Sequence, residues 1–199
     1  MQLNLTKDII TKGESHLMSC KVMSSLIKRH RPCLLADREF LPFNDLVTSI
    51  ISQQLSVKAA TAIKSRLNNL VPIISPEGIC DVSHEKMRST GLSERKVRYI
   101  KSLALNIISG QINLSSLQVK SDEEVVSILT ALPGIGTWTA EMFLIFCLKR
   151  PNILSLSDSS LQRAACQLYG KNARLENLRT LWNPYCSIAS WYLWRHLDS

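Results

Sequence analysis

An all-α fold is predicted by three features of the sequence. Apolar residues recur at helical spacing, as in Val125, Val126, Ile128, Leu129 and Leu132, and again in Trp138, Met142, Phe143, Ile145 and Phe146. Serines suited to start helices stand before such segments, at Ser56, Ser83, Ser93 and Ser121. Glycine and proline are sparse, at seven each in 199 residues, and no series of alternating strands with turn dipeptides occurs. A chain of this length suits one domain, or two small lobes, with enough apolar side chains for a real core.

Residues 1–42 hold one or two helices, with Ile9, Leu17, Val22 and Leu26 as apolar positions. Lys28-Arg29-His30-Arg31-Pro32 ends that segment as a basic cluster and a helix stop. It reads as a solvated face in preference to a DNA contact. Asn44 is the expected N-cap of a helix through Val47, Ile50 and Ile51. Gln53-Gln54-Leu55 end that helix, and Ser56 caps the next, over 57–70. Ser83 caps a short helix that stops at Gly91, and Ser93 a longer one that runs to Gly110. The longer helix reads mainly as scaffold, with Lys96 and Arg98 as candidate phosphate contacts. Ser121-Asp122-Glu123-Glu124 has the Ser-x-x-Glu pattern of a capping box, so its acids suit a helix N-terminus and need no catalytic role.

That capped helix leads into Leu132-Pro133-Gly134-Ile135-Gly136-Thr137-Trp138-Thr139-Ala140. Pro133 cannot continue a helix without losing a hydrogen bond. Gly134 and Gly136 accept backbone angles closed to other residues and let another backbone come close. The expected structure is helix, tight turn, helix, with the N–H groups of Gly134, Ile135, Gly136 and Thr137 free at the start of the second helix. Such a site suits a phosphate. An ordinary glycine-rich connection would look the same.

Asp158 is the one acid between Glu141 and Glu176, in a stretch that carries Lys149, Arg150, Arg163, Lys171 and Arg174. It stands at the expected start of a helix through Leu161, Ala164, Ala165 and Leu168 that ends at Gly170. A helix cap is the plain reading of such an Asp, and a catalytic role is compatible with it.

The net charge is +8 and the pI about 9.3. That suits a polyanionic partner, and equally a merely basic protein. The six cysteines are scattered and form no Cys-x-x-Cys, so zinc-ribbon and iron–sulfur spacings are both missing. Cys147 and Cys166 read as reduced core residues, and the pattern suggests a reducing compartment. The first residues carry no apolar signal core, and no apolar run approaches the ~20 residues that span a membrane.

Leu132–Ala140 followed by Asp158 resembles the helix-hairpin-helix DNA glycosylases, within them the 3-methyladenine DNA glycosylase II family. Three other stretches carry the resemblance: Ile51 to Ala60, Gly91-Leu92-Ser93 with Lys96 to Ile100, and Trp182-Asn183-Pro184-Tyr185 leading into Trp191 to Arg195. It covers roughly residues 40–196. It implies a two-lobed all-α fold with the active site in the cleft between lobes, one lobe being 43–150 and the other 1–42 with 151–199. It also implies a monofunctional enzyme that flips alkylated purines, of the 3-methyladenine or 7-methylguanine type, out of duplex DNA and hydrolyses their N-glycosidic bond.

By the same resemblance Asp158 is catalytic, and Trp138, Trp194, Met142 and Phe43 line the base pocket, whereas Trp182 and Trp191 read as core. Gln54 or Leu55 is the wedge that fills the gap in the duplex. Gly134, Ile135, Gly136, Thr137 and Lys58 hold phosphate. Lyase members carry a Lys where this chain has Trp138, so no Schiff base is expected. No cofactor and no metal-ligand cluster are expected, apart from a monovalent cation at the hairpin carbonyls. The expected partner is double-stranded DNA with alkylated bases, and the expected state a monomer, off the membrane, in a bacterial cytoplasm or a eukaryotic nucleus. The chain departs from the family's usual pattern at Ser155, Ser157 and Cys186. Two other readings stand beside this one: a non-catalytic helix-hairpin-helix DNA-binding module, and a glycosylase for a different lesion.

Overall fold

Five helices begin on a serine whose hydroxyl accepts a backbone N–H of the first turn, at Ser56, Ser75, Ser83, Ser93 and Ser121. Such caps satisfy donors that a helix start leaves unpaired. The computed structural model describes residues 4–198, and every regular element among them is helical. In chain order these are α1 (Lys7–Leu17), α2 (Lys21–His30), α3 (Pro42–Ser52), α4 (Val57–Leu70), α5 (Pro76–Asp81), α6 (His84–Ser89) and α7 (Glu94–Ile108). A 3-10 helix, Leu114–Val119, precedes α8 (Asp122–Thr130), α9 (Thr137–Phe146), α10 (Ser159–Tyr169), α11 (Leu175–Trp182) and α12 (Cys186–Leu197). The capping box at Ser121 and Glu124 is formed in both directions.

One expected cap is wrong. Asn44 lies inside the first turn of α3, because Pro42 occupies the opening position and Leu41 is the N-cap. Proline's fixed φ and missing N–H suit that position, so the helix starts earlier without a side-chain cap.

The chain divides into two compact units, one from Leu41 to Phe143, the other made of residues up to Phe40 and from Leu144 onward. The boundary falls inside α9. In the middle unit α7 packs on α3, α5 and α6 and buries Val97, Ile100, Leu103 and Ala104. Two of its lysines reach helix C-termini, where carbonyls lack intrahelical partners. Lys101 Nζ donates to the carbonyls of Ile79, Cys80 and Val82 at the end of α5. Lys96 Nζ donates to those of Ile51 and Gln53 at the end of α3.

In the other unit α12 packs on α1, α2, α10 and α11. Gly13 of α1 faces Ile188 and Tyr185, and a Cβ there would collide with the Ile188 side chain. Glu14 is buried and accepts from Tyr192 Oη at 2.6 Å and Arg31 Nη2 at 2.9 Å. Arg31 pairs with this buried carboxylate while its own side chain stays exposed, in keeping with the solvated basic face read from the sequence. Trp182 is fully buried and donates to Tyr169 Oη at 3.3 Å. Trp191 is half-buried, edge-on to Tyr192. All six cysteines are free thiols; Cys147 is buried and Cys166 half-buried. No helix of the described residues is long and apolar enough to cross a membrane.

Candidate functional site

The hairpin between α8 and α9 is a type II turn. Ile135 N donates to Leu132 O at 3.2 Å, Pro133 stands second, and Gly134 stands third at φ 84°. Type II turns favour these residues there, because the third position has positive φ. Gly134 is needed for a second reason: a Cβ would fall within the ring of Tyr99 on α7.

Two expectations change here. The Ile135 N–H is not free, since it closes the turn, and the Ile135 side chain is buried. Gly136 has no positive φ, and no atom lies within 4 Å of a Cβ built there. Within the chain nothing requires glycine at 136; the position is simply open and exposed. Gly136 and Thr137 remain the exposed residues at the α9 N-terminus, where a helix leaves its donors without intrahelical partners.

A second type II turn follows α3. Leu55 N donates to Ser52 O at 3.2 Å, Gln53 has φ −52° and ψ 127°, and Gln54 has φ 57°. Left-handed backbone at a residue with a long side chain costs roughly 1–2 kcal/mol. The two glutamines have opposite fates. Gln53 turns inward, and its Nε2 donates to Gly134 O at 2.8 Å and Thr139 Oγ1 at 3.3 Å. Gln54 and Leu55 are exposed at the tip, and Lys58 is exposed just beyond, near the start of α4.

Lys96, read from sequence as a possible phosphate contact, instead donates to Ile51 O at 2.8 Å and Gln53 O at 2.7 Å. Burial, and then the neighbouring Arg95, lowers its pKa from the ordinary lysine value.

Asp158 is the N-cap of α10 and is 6% exposed. Its Oδ1 accepts from Ser160 N at 2.9 Å, Leu161 N at 2.9 Å and Ser160 Oγ at 2.5 Å. Trp194 Nε1 donates to that same Ser160 hydroxyl at 3.1 Å. The Trp194 ring lies 5.4 Å from the ring of Phe146, at an interplanar angle of 33°. Arg38 sits 5.3 Å from the Phe146 ring and donates to its carbonyl. Asp158, Ser160, Trp194, Phe146 and Arg38 thus form one connected group. The cap role and a fixed buried carboxylate coexist in one residue.

Of the other expected pocket residues, Phe43 lies on α3 and Trp138 and Met142 on α9. Phe43 and Met142 are buried, and Trp138 is half-buried. Among the described residues no group of three His, Cys, Asp or Glu is placed to hold a metal. Sequence reasoning missed Ser160, Phe146, Gln53 and Tyr99. Only Gly134 hinted at Tyr99, since glycine marks close approach without naming the neighbour.

This arrangement has close counterparts among known proteins. The profile of the HhH-GPD superfamily of base excision DNA repair proteins matches residues 47–184. DNA-3-methyladenine glycosylase 1 of Schizosaccharomyces pombe is 34% identical, over 94% of this chain and 87% of its own. The alkylbase DNA glycosidase-like protein mag2 of the same yeast is 31% identical, over 92% of each chain. The structure of S. pombe 3-methyladenine DNA glycosylase (Mag1) in complex with abasic DNA superposes with a TM-score of 0.84 at 33% identity, over 94% of this chain and 97% of that one. By the profile match and by these relatives, the chain belongs to the HhH-GPD superfamily of base excision DNA repair proteins.

Proposed function

We propose that the protein is a monofunctional DNA glycosylase that excises alkylated purines such as 3-methyladenine from duplex DNA. One observation carries the reading: a buried carboxylate, Asp158, whose Oδ1 accepts three hydrogen bonds at the start of α10, in a chain related to 3-methyladenine glycosylases. Hydrolysis of an N-glycosidic bond passes through an oxocarbenium-like sugar, as in glycoside hydrolysis. A fixed anion beside that sugar stabilises the developing positive charge and orients the attacking water. The alkylated purine is already cationic, so it leaves with its bonding electrons and needs no paired acid. The products are the free base and an abasic site.

Trp138 and Trp194 are electron-rich indoles of the kind on which a cationic base stacks, and Met142 and Phe43 are the other residues assigned to the base pocket. Leu55 or Gln54 fills the vacated place in the duplex. Gly136 and Thr137 offer helix N-terminal donors to a backbone phosphate, with Lys58 adding charge. The carbonyls of Leu132 and Gly134 are hard neutral oxygens, each with one protein donor and a second lone pair. They suit a monovalent cation, which would neutralise phosphate charge there. Trp138 has no amine, so backbone cleavage through a Schiff base is not part of the reaction. The enzyme acts where chromosomal DNA is, in a bacterial cytoplasm or a eukaryotic nucleus.

The test is base release from methylated and from oxidised duplexes, by wild type and Asp158→Asn, with DNA binding measured in parallel. We expect release of alkylated purines by wild type, at least a thousandfold slower release by the variant, and binding kept within a few-fold; effects of this order follow loss of an electrostatic stabiliser. An active variant would reduce Asp158 to a helix cap. Binding without release by either protein would make the chain a DNA-binding module, and release of oxidised bases alone would move it to another lesion.

A further inference from the structure

The two type II turns of the middle unit are tied together. Gln53 uses both donors of its amide on the hairpin, one on Gly134 O and one on Thr139 Oγ1, while its own carbonyl accepts from Lys96. Lys96 and Tyr99 are both on α7, and Tyr99 is the ring against which Gly134 closes. The connections therefore form a closed circuit from α7 to the first turn, on to the hairpin, and back to α7. Outside that circuit stand Gln54 and Leu55, exposed at the tip, and Gly136 and Thr137, exposed at the α9 N-terminus.

We propose that Gln53 is a positioning residue that fixes the tip at Gln54 and Leu55 to the phosphate-holding hairpin, so that the grip on the backbone sets where the wedge enters the duplex. The proposal rests on reading that tip as the element that enters DNA. A loop free to swing would lose ordering entropy at each encounter; a loop tied to the phosphate site has lost it at folding. The work of Gln53 is therefore visible where the wedge is inserted and invisible where it is not.

The test compares two duplexes, one undamaged and one carrying a stable tetrahydrofuran abasic analogue opposite 2-aminopurine, whose fluorescence reports side-chain insertion. The variant is Gln53→Met, similar in length and without amide donors. Wild type is expected to bind the abasic duplex more tightly and to change the fluorescence. In Gln53→Met the affinity for undamaged DNA stays within twofold, while the advantage for the abasic duplex and the fluorescence change fall about tenfold, the effect of one or two lost hydrogen bonds.

An advantage that survives in the variant overturns the proposal. So does an equal loss on both duplexes, which would make Gln53 a hairpin support only. Should Gln53→Met fail to fold, Thr139→Val removes one of the two acceptors and keeps the shape. It is then expected to lower the same ratio about threefold, and an unchanged ratio overturns the idea. If wild type itself shows neither preference nor fluorescence change, the reading of the tip as a wedge has failed, and the proposal falls with it.

Discussion

The turn in the hairpin and the turn after α3 close with the same hydrogen bond, from the N–H of the fourth residue to the carbonyl of the first. They are made of opposite materials. Leu132–Ile135 has proline and glycine at its two central positions, the residues a type II turn favours. Ser52–Leu55 has two glutamines, one of them held at φ 57°. The first turn owes its shape to its own residues. The second owes its shape to its surroundings, through Lys96 on its backbone and Gln53 on the hairpin. A turn of the first kind is portable between proteins; one of the second kind is specific to this packing.

Substitutions can break that comparison or sharpen it. The largest effect is expected from Gly134→Ala, which sets a side chain at φ 84° and drives it into Tyr99. A loss of about 3 kcal/mol is expected from left-handed strain plus overpacking, read as the shift in a denaturant midpoint. Tyr99→Ala in the same chain should restore part of the loss, since only the collision is relieved. If Gly134→Ala is neutral, the hairpin is not shaped by its residues.

Lys96→Met comes next. It leaves two carbonyls at the end of α3 without their charged donor, and about 2 kcal/mol should be lost by the same measurement. A loss under ~0.5 kcal/mol would mean that water replaces the ammonium without cost.

Gln54→Gly should act in the other direction. It removes left-handed strain but adds freedom to the unfolded chain, so a gain of about 0.5 kcal/mol is expected. A net loss of stability would show that the turn after α3 is less strained than its φ implies.

The smallest effect belongs to Gly136→Ala. With open space around it and ordinary φ, stability should change by less than ~0.5 kcal/mol. On the proposed phosphate site, DNA affinity should nevertheless fall several-fold, because a methyl group there would stand where the phosphate approaches. Unchanged affinity would remove Gly136 from the phosphate site.

The same contrast explains what was readable in the sequence. Ser56, Ser83, Ser93 and Ser121 each announced a helix because a cap reaches only three residues along the chain. Pro133-Gly134 announced a turn for the same reason. Asn44 misled because Asn is a good cap in general, and the proline two residues earlier had already opened the helix. Gln53 was invisible, because its partners lie 81 and 86 residues away and its neighbour Gln54 is chemically identical. Lys96 was legible as part of a scaffold helix and as a candidate phosphate contact, but the carbonyls it serves lie 43 and 45 residues away and left no local sign. Asp158 was legible as a cap, and its catalytic role rests on the resemblance; Ser160, which bonds it, and Phe146, against Trp194, gave no local sign of their place.

The left-handed glutamine has a mechanical meaning. Glycine at that position would rest in a broad basin and bend under small forces. A residue with a side chain occupies a narrower basin, so the tip behaves as a stiff, preloaded spring clamped at both ends. A duplex, by contrast, is compliant at its flexible base steps and kinks there readily. On the proposed reading of the tip as a wedge, the deformation then goes into the nucleic acid, and the weakest stacked step is the one that gives way.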